Sequence, residues 1–175
     1  FPGENFRMNE MEGALACVQF GRMEGILART RALRRRIYEG IAGVEGIVIS
    51  PSPDPEGDLG ITVVLQLPDY ERARQFGLAL KAEGIPAGGT YDKAIADRHV
   101  YCYWEYVMNK GSMDRHGRPW TSPLHDQTRN YGPDMCPNTL NILGRTIVLS
   151  LAQTFEDRHA EWIIQGIRKV AAGLI

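Results

Sequence analysis

Two short β-branched runs, residues 61–67 (ITVVLQL) and 146–151 (TIVLSL), each stand beside a stretch of helical periodicity, and this alternation constrains the fold more than any other feature of the chain. Strands whose apolar and polar side chains alternate press one face on a core and leave the other to solvent, which is the habit of antiparallel sheets. Helices between such strands must then share a single face. The expected class is α+β: a small, mostly antiparallel sheet with helices packed on one face, preceded by a long helix.

That long helix is expected over residues 9–41, as one piece or as two collinear ones. Met11, Ala14, Leu15 and Val18, then Ile26, Leu33, Ile37 and Ile41, recur at the spacing of one helical face. Asn9 followed by Glu12 has the form of a capping box, while Gly21 and Gly25 weaken the middle and mark a bend near Arg22. Residues 46–50 read as a strand ending at Pro51, and residues 51–59 (PSPDPEGDL) as a loop. Asp69 caps a helix over 70–83 with Ala73, Phe76 and Leu80 inward, Gly84 stops it, and 85–87 form a short third strand. Residues 91–135 lose sustained periodicity and read as an ordered loop, with a helix near 94–107. Pro137 starts a short helix through 143, and Thr154 with Asp157 resembles a capping box before a last helix striped by Ala160, Ile163, Ile164, Ile167, Val170 and Ala171.

At 175 residues and 43% hydrophobic content the chain can bury a core of its own. Lys and Arg (20) balance Asp and Glu (21), so the strong basic field of nucleic-acid or anionic-membrane binders is absent. No apolar run is long enough to span a bilayer and no signal peptide is readable, so cytoplasm is the expected compartment. Cys17, Cys102 and Cys136 are too few and too scattered for a disulfide framework, and no C-x-x-C pair points to zinc, so they read as buried or incidental thiols. The opening at Phe1, close before a strongly patterned helix, leads us to expect a piece of something longer. The run of Arg29, Arg31, Arg34, Arg35 and Arg36 invites a phosphate or nucleic-acid reading, but its helical spacing fits a solvated, charged face better.

Residues 3–15 (GENFRMNEMEGAL) and 19–31 (QFGRMEGILARTR) resemble the stretch that follows the cofactor lysine in aminotransferases of the DegT/DnrJ/StrS type. That pattern has the form G-x-N-x-R-M-x-E-x-x-A-A-L, then Q-L and an Arg-rich continuation. The stretch 84–88 (GIPAG) with Tyr91, the tripeptide 123–125 (PLH), and 136–139 (CPNT) leading into 147–151 (IVLSL) follow in the family's order. The resemblance covers most of the chain. It implies the C-terminal small domain of a fold-type-I transferase that uses pyridoxal 5'-phosphate and works as a homodimer. The intact enzyme would move an amino group from glutamate or glutamine to a keto-sugar or keto-cyclitol. Residues 1–45 would be the linking loop and long helix leading from the large domain, and 46–175 the small domain with an insertion at about 92–122.

By the same resemblance Asn5 reaches the cofactor phosphate of the neighbouring subunit, although a plain turn before the helix is an alternative. Arg7 pairs with that phosphate or makes a structural ion pair near Glu10 or across the dimer. Tyr91 and His125 fall where family members place substrate-side residues, and both can hydrogen-bond a sugar hydroxyl. A solvated or structural histidine is the other reading of His125. The insertion carries Tyr101, Tyr103, Trp104, Tyr106 and Trp120, suited to stacking on a sugar ring or to packing a subunit interface. Transamination needs a lysine amine to hold the cofactor and to move a proton at the substrate carbon. Lys81, Lys93, Lys110 and Lys169 all lack a setting that would bury an amine, so the chain alone is expected to be inactive, with no metal. A non-catalytic α+β interaction or dimerisation module is the competing reading.

Overall fold

The computed structural model describes residues 7–174, and within them the α+β expectation holds. α1 (Glu10–Ile41) leads into β1 (Val48–Ile49) and β2 (Thr62–Gln66), followed by α2 (Tyr70–Ala82) and β3 (Ala87–Gly89). After a 3-10 turn at Tyr101–Tyr103 come α3 (Glu105–Met108), α4 (Pro137–Gly144), β4 (Thr146–Ser150) and α5 (Asp157–Leu174). The sheet runs β1-β2-β4-β3, with every neighbouring pair antiparallel. Its register sets Val63 opposite Leu149 and Leu65 opposite Ile147, so the buried apolar side chains of the two central strands share one face. On that face Ile37 of α1, Phe76 of α2 and Ile167 of α5 close a single core.

Local signals account for most helix boundaries. Asn9 and Glu12 exchange both bonds of a capping box, Asn9 Oδ1 accepting from Glu12 N at 2.9 Å and Glu12 Oε2 from Asn9 N at 3.0 Å. Asp69 Oδ1 accepts from Arg72 N at 2.8 Å, and Gly84, at φ +79°, turns the chain out of α2. The predicted stripe of α5 is buried throughout.

Of the two forms expected for α1, the single continuous helix is the one found, running through Gly21 and Gly25. Five expectations need correction. Only the second half of α1 enters the core: Met11, Ala14, Leu15 and Val18 are exposed. The third strand sits at Ala87–Gly89 rather than 85–87, where it pairs with β4. In place of a helix over 94–107 there are only the 3-10 turn and the four-residue α3. The cap of α5 is not Thr154, since the helix starts at Asp157 and His159 Nδ1 accepts from Glu156 N at 2.9 Å.

The fifth concerns the arginines, which do not form a plain solvated face. Arg31 Nε donates to the Asp58 carbonyl at 2.7 Å, Arg34 pairs with the Asp58 carboxylate, and Arg36 bridges Asp157 at 2.8 Å and Glu161 at 2.7 Å. The loop after β1 and the start of α5 fold back onto α1, which the spacing of arginines within one helix could not reveal. Gly60 seals the loop contact. At φ +73°, a Cβ there would stand 2.7 Å from the Arg31 backbone nitrogen, and the neighbouring Leu59 carbonyl accepts from the buried Thr30 hydroxyl at 2.8 Å. The cysteines are free, with Cys17 and Cys136 exposed and Cys102 half-buried.

Candidate functional site

Tyr91 leaves β3 at the point where the chain turns across the start of α2 and the body of α4. Thr90 fixes that exit by donating its hydroxyl to the Leu143 carbonyl at 2.8 Å. Tyr70, first residue of α2, then organises the turn: its hydroxyl donates to Asp92 Oδ1 at 3.0 Å and accepts from Lys93 N at 3.0 Å. Asp92 Oδ1 also takes the Ala94 N–H at 2.8 Å, and Tyr103 donates to the Asp92 carbonyl at 2.9 Å. The Ala94 bond, the Tyr70 hydroxyl and the nearby Arg74 hold the Asp92 carboxyl below the ordinary carboxylate range, against an opposing effect of burial. Asp92 is therefore an ionised acceptor tied to the scaffold.

What this turn encloses is a cleft of about 220 Å³ between the Tyr91 ring and α4, with Lys93, Asp134 and Asn141 at its rim. Burial, followed by the neighbouring Tyr103 and Cys102, pushes the Tyr91 phenol up, so it stays protonated and can donate. Gly144 lets the helix approach, since a Cβ there would meet the Tyr70 ring at 3.2 Å and the Tyr91 ring at 3.5 Å. A protonated phenol, an ammonium, a carboxylate and an amide around a small cleft offer both donors and acceptors, as a hydroxyl-rich ligand requires. The sequence signalled Tyr91; it missed Tyr70, Asp92, Lys93, Asp134 and Asn141. The Asp92-Lys93 pair directly after Tyr91 was the one local sign available.

His125 lies elsewhere. Its ring stands edge-on to Trp120 at 5.5 Å and its Nε2 is 3.2 Å from the Tyr131 hydroxyl, while its Nδ1 is buried without a hydrogen-bond partner among the described residues. It does not line the Tyr91 cleft. The insertion's aromatic residues mostly spend their polar atoms internally. Trp104 and Trp120 donate to the carbonyls of Arg98 and Gly111 at 2.7 and 2.6 Å, and Tyr101 joins the Pro133 carbonyl to Cys136 N. Only Trp104 and Tyr106 remain widely exposed.

Arg7 precedes the capped start of α1 and is exposed, and Asn5 lies outside the described residues. No lysine here suits a cofactor amine. Lys169 is bound to Glu83 at 2.8 Å, Lys93 and Lys110 lie 5.0 and 6.0 Å from the rings of Tyr70 and Tyr131, and these and Lys81 are all exposed. The described residues therefore do not by themselves make a pyridoxal phosphate site. No group of metal-ligating side chains occurs among them, nor any helix long and apolar enough to cross a membrane.

A small antiparallel sheet carrying its helices on one face, entered through a long capped helix, matches a partial region of solved aminotransferase structures. The profile of the DegT/DnrJ/EryC1/StrS aminotransferase family matches residues 1–116, and the chain belongs to that family. A Streptococcus pneumoniae protein assigned as a sugar aminotransferase, in its PMP form, superposes with a TM-score of 0.66 at 18% identity, over 97% of this chain and 36% of that one. The aminotransferase TlmJ from Streptoalloteichus hindustanus gives 0.67 at 16%, over 95% and 37%. DesV of S. venezuelae, in complex with a ketimine intermediate, gives 0.67 at 16%, over 98% and 38%. At such identities the likeness shows the fold, and the chain spans little more than a third of the length of these neighbours.

Proposed function

We propose that this chain is the C-terminal portion of a pyridoxal phosphate-dependent aminotransferase that moves an amino group from glutamate or glutamine to a keto-sugar or keto-cyclitol. The observation that carries the reading is the family match over residues 1–116, which takes in Asn5, Arg7, all of α1 and the Tyr70, Tyr91 and Lys93 side of the cleft. Bound pyridoxal phosphate supplies an electron sink for the reacting carbon. The chain's own share is positioning. Asn5 and Arg7 come shortly before α1 in the sequence, and an amide and a guanidinium both hydrogen-bond a phosphate, in keeping with the cofactor role proposed for them. Tyr91 takes a substrate hydroxyl as donor. His125, by its place in the Pro-Leu-His motif, serves the substrate side, and its Nδ1 is left without a hydrogen-bond partner among the described residues.

Residues 1–45 lead from the rest of the polypeptide and 46–175 form the small domain, with the insertion near 92–122 shaping its substrate side. The apolar first half of α1 supports a homodimer, because Met11, Leu15 and Val18 are left uncovered by the described residues. Free thiols and a near-neutral charge suit a cytoplasmic enzyme without nucleic-acid or membrane partners. The isolated chain is inactive, since the amine that holds the cofactor must come from elsewhere in the polypeptide.

The test uses the parent polypeptide. It should carry a visible cofactor absorbance that the amino donor alters, and Asn5→Ala should release the cofactor more readily on dialysis. A parent that stays colourless with added pyridoxal phosphate defeats the reading in favour of a non-catalytic interaction module. Unchanged retention in Asn5→Ala removes that one assignment.

A further inference from the structure

The arginine run of α1 has a second consequence, independent of transamination. Arg31, Arg34, Arg35 and Tyr38 fall at i, i+3, i+4 and i+7, one face of the helix, adjoining the buried face of Leu33, Ile37 and Ile41. Between this face and the loop after β1 lies a cavity of about 490 Å³, well removed in the fold from Tyr91. Its size is that of a small-molecule site. Ile49 and the prolines Pro51, Pro53 and Pro55 make the opposite wall, and Tyr38 the floor, its hydroxyl accepting from Val64 N at 3.2 Å.

The walls are fixed before any ligand arrives. Asp54 closes the loop on itself, its Oδ1 accepting from Gly57 N at 2.9 Å and its carbonyl from Asp58 N at 3.0 Å. Thr30, Arg31 and Gly60 then clamp the loop to the helix. Prolines limit what motion is left.

The charges in the cavity are unequally used. Asp58 is consumed, accepting from Gly60 N at 2.9 Å and pairing with Arg34, which also lies over the Tyr38 ring at 5.8 Å. Among the described residues Arg31 spends only its Nε, on the Asp58 carbonyl. Arg35 has neither hydrogen bond nor carboxylate partner among the described residues. Glu39 and Glu56 also reach the cavity, but both are exposed and neither pairs with an arginine there. Two guanidinium groups with unfilled donors, beside an apolar wall, recognise an oxyanion head on an apolar or ring-shaped body. We propose that this cavity binds a small organic oxyanion, with Arg31 and Arg35 holding the charged head and the Tyr38–proline wall receiving the body.

The test is calorimetric titration of the parent polypeptide, saturated with pyridoxal phosphate where it takes it up, with phenyl phosphate, and with inorganic phosphate as the bodiless head. Phenyl phosphate should bind saturably and more tightly than inorganic phosphate. Arg35→Gln removes a side chain with no hydrogen bond or ion pair among the described residues, so thermal unfolding should be unchanged while affinity falls on the order of tenfold. Glu56→Gln should tighten binding by removing a like charge at the rim. Heats that never saturate, equal affinity for the two ligands, or an affinity indifferent to Arg35→Gln would each overturn the assignment. None of these readouts depends on amino transfer, so failure here leaves the proposed activity standing, and a colourless parent leaves this site standing.

Discussion

The two halves of α1 obey one spacing rule and end in opposite surroundings. In the second half Leu33, Ile37 and Ile41 are buried against β2 and α5, whereas Met11, Leu15 and Val18 in the first half are 85%, 62% and 63% exposed. Both halves belong to one unbroken helix with a complete capping box. The difference therefore comes from what the rest of the chain brings to each half, and it shows that hydrophobic periodicity announces a face to be covered without saying what covers it.

The comparison is tested most severely at Ile37. It is fully buried at the meeting of α1, the sheet and α5, so Ile37→Ala removes buried methylenes and leaves a cavity. The expected loss is about 2–5 kcal/mol, read as a lower denaturation midpoint of the chain with an unchanged slope. If Ile37→Ala costs no more than Leu15→Ala in the same chain, the contrast between the halves is false.

Asp58 tests how the second half is held. Arg34 first, and the Gly60 N–H next, bring its carboxyl down from 3.8 to about 2. A carboxyl lowered in the folded state adds stability that is fully present above its unfolded value and disappears as pH falls through its folded one. Stability on the order of 2 kcal/mol should thus vanish between pH 3.8 and about 2, and Asp58→Asn should flatten that part of the pH profile. A wild-type profile that matches the variant's across this window would show that the loop is not fastened to α1 through this pair.

How far the sequence foretold the molecule follows the same division between local and distant causes. The caps at Asn9 and Asp69, the stripe of α5 and the strands β2 and β4 rest on neighbours within a few residues, and each appears where the pattern puts it. The arginine face was misread because its partner Asp58 arrives through a loop that folds back from beyond β1. Residues 91–135 gave no period to read, since Trp104, Trp120 and Tyr101 hold them together by side chain to backbone bonds, which have no repeat. Tyr91 could be named from its motif, but the Tyr70 and Asn141 that shape its cleft come from α2 and α4, far along the chain, and only the fold joins them.

The smallest expected effect on this chain is the most telling about the intact protein. Leu15 and Val18 touch little here, so Leu15→Glu with Val18→Glu should change the chain's unfolding free energy by only about 0.5 kcal/mol per site. The side chains lie on the exposed first half of α1, where a charge meets water at no cost. In the parent polypeptide the same pair should act strongly, because two carboxylates set into a covered apolar seam lose hydration without gaining partners. Sedimentation of the parent should then show dissociation of an assembly that the unsubstituted protein keeps at the same concentration. Should both forms sediment alike and unfold alike, the first half of α1 is an exposed helix in the whole protein too, and its apolar spacing covers nothing.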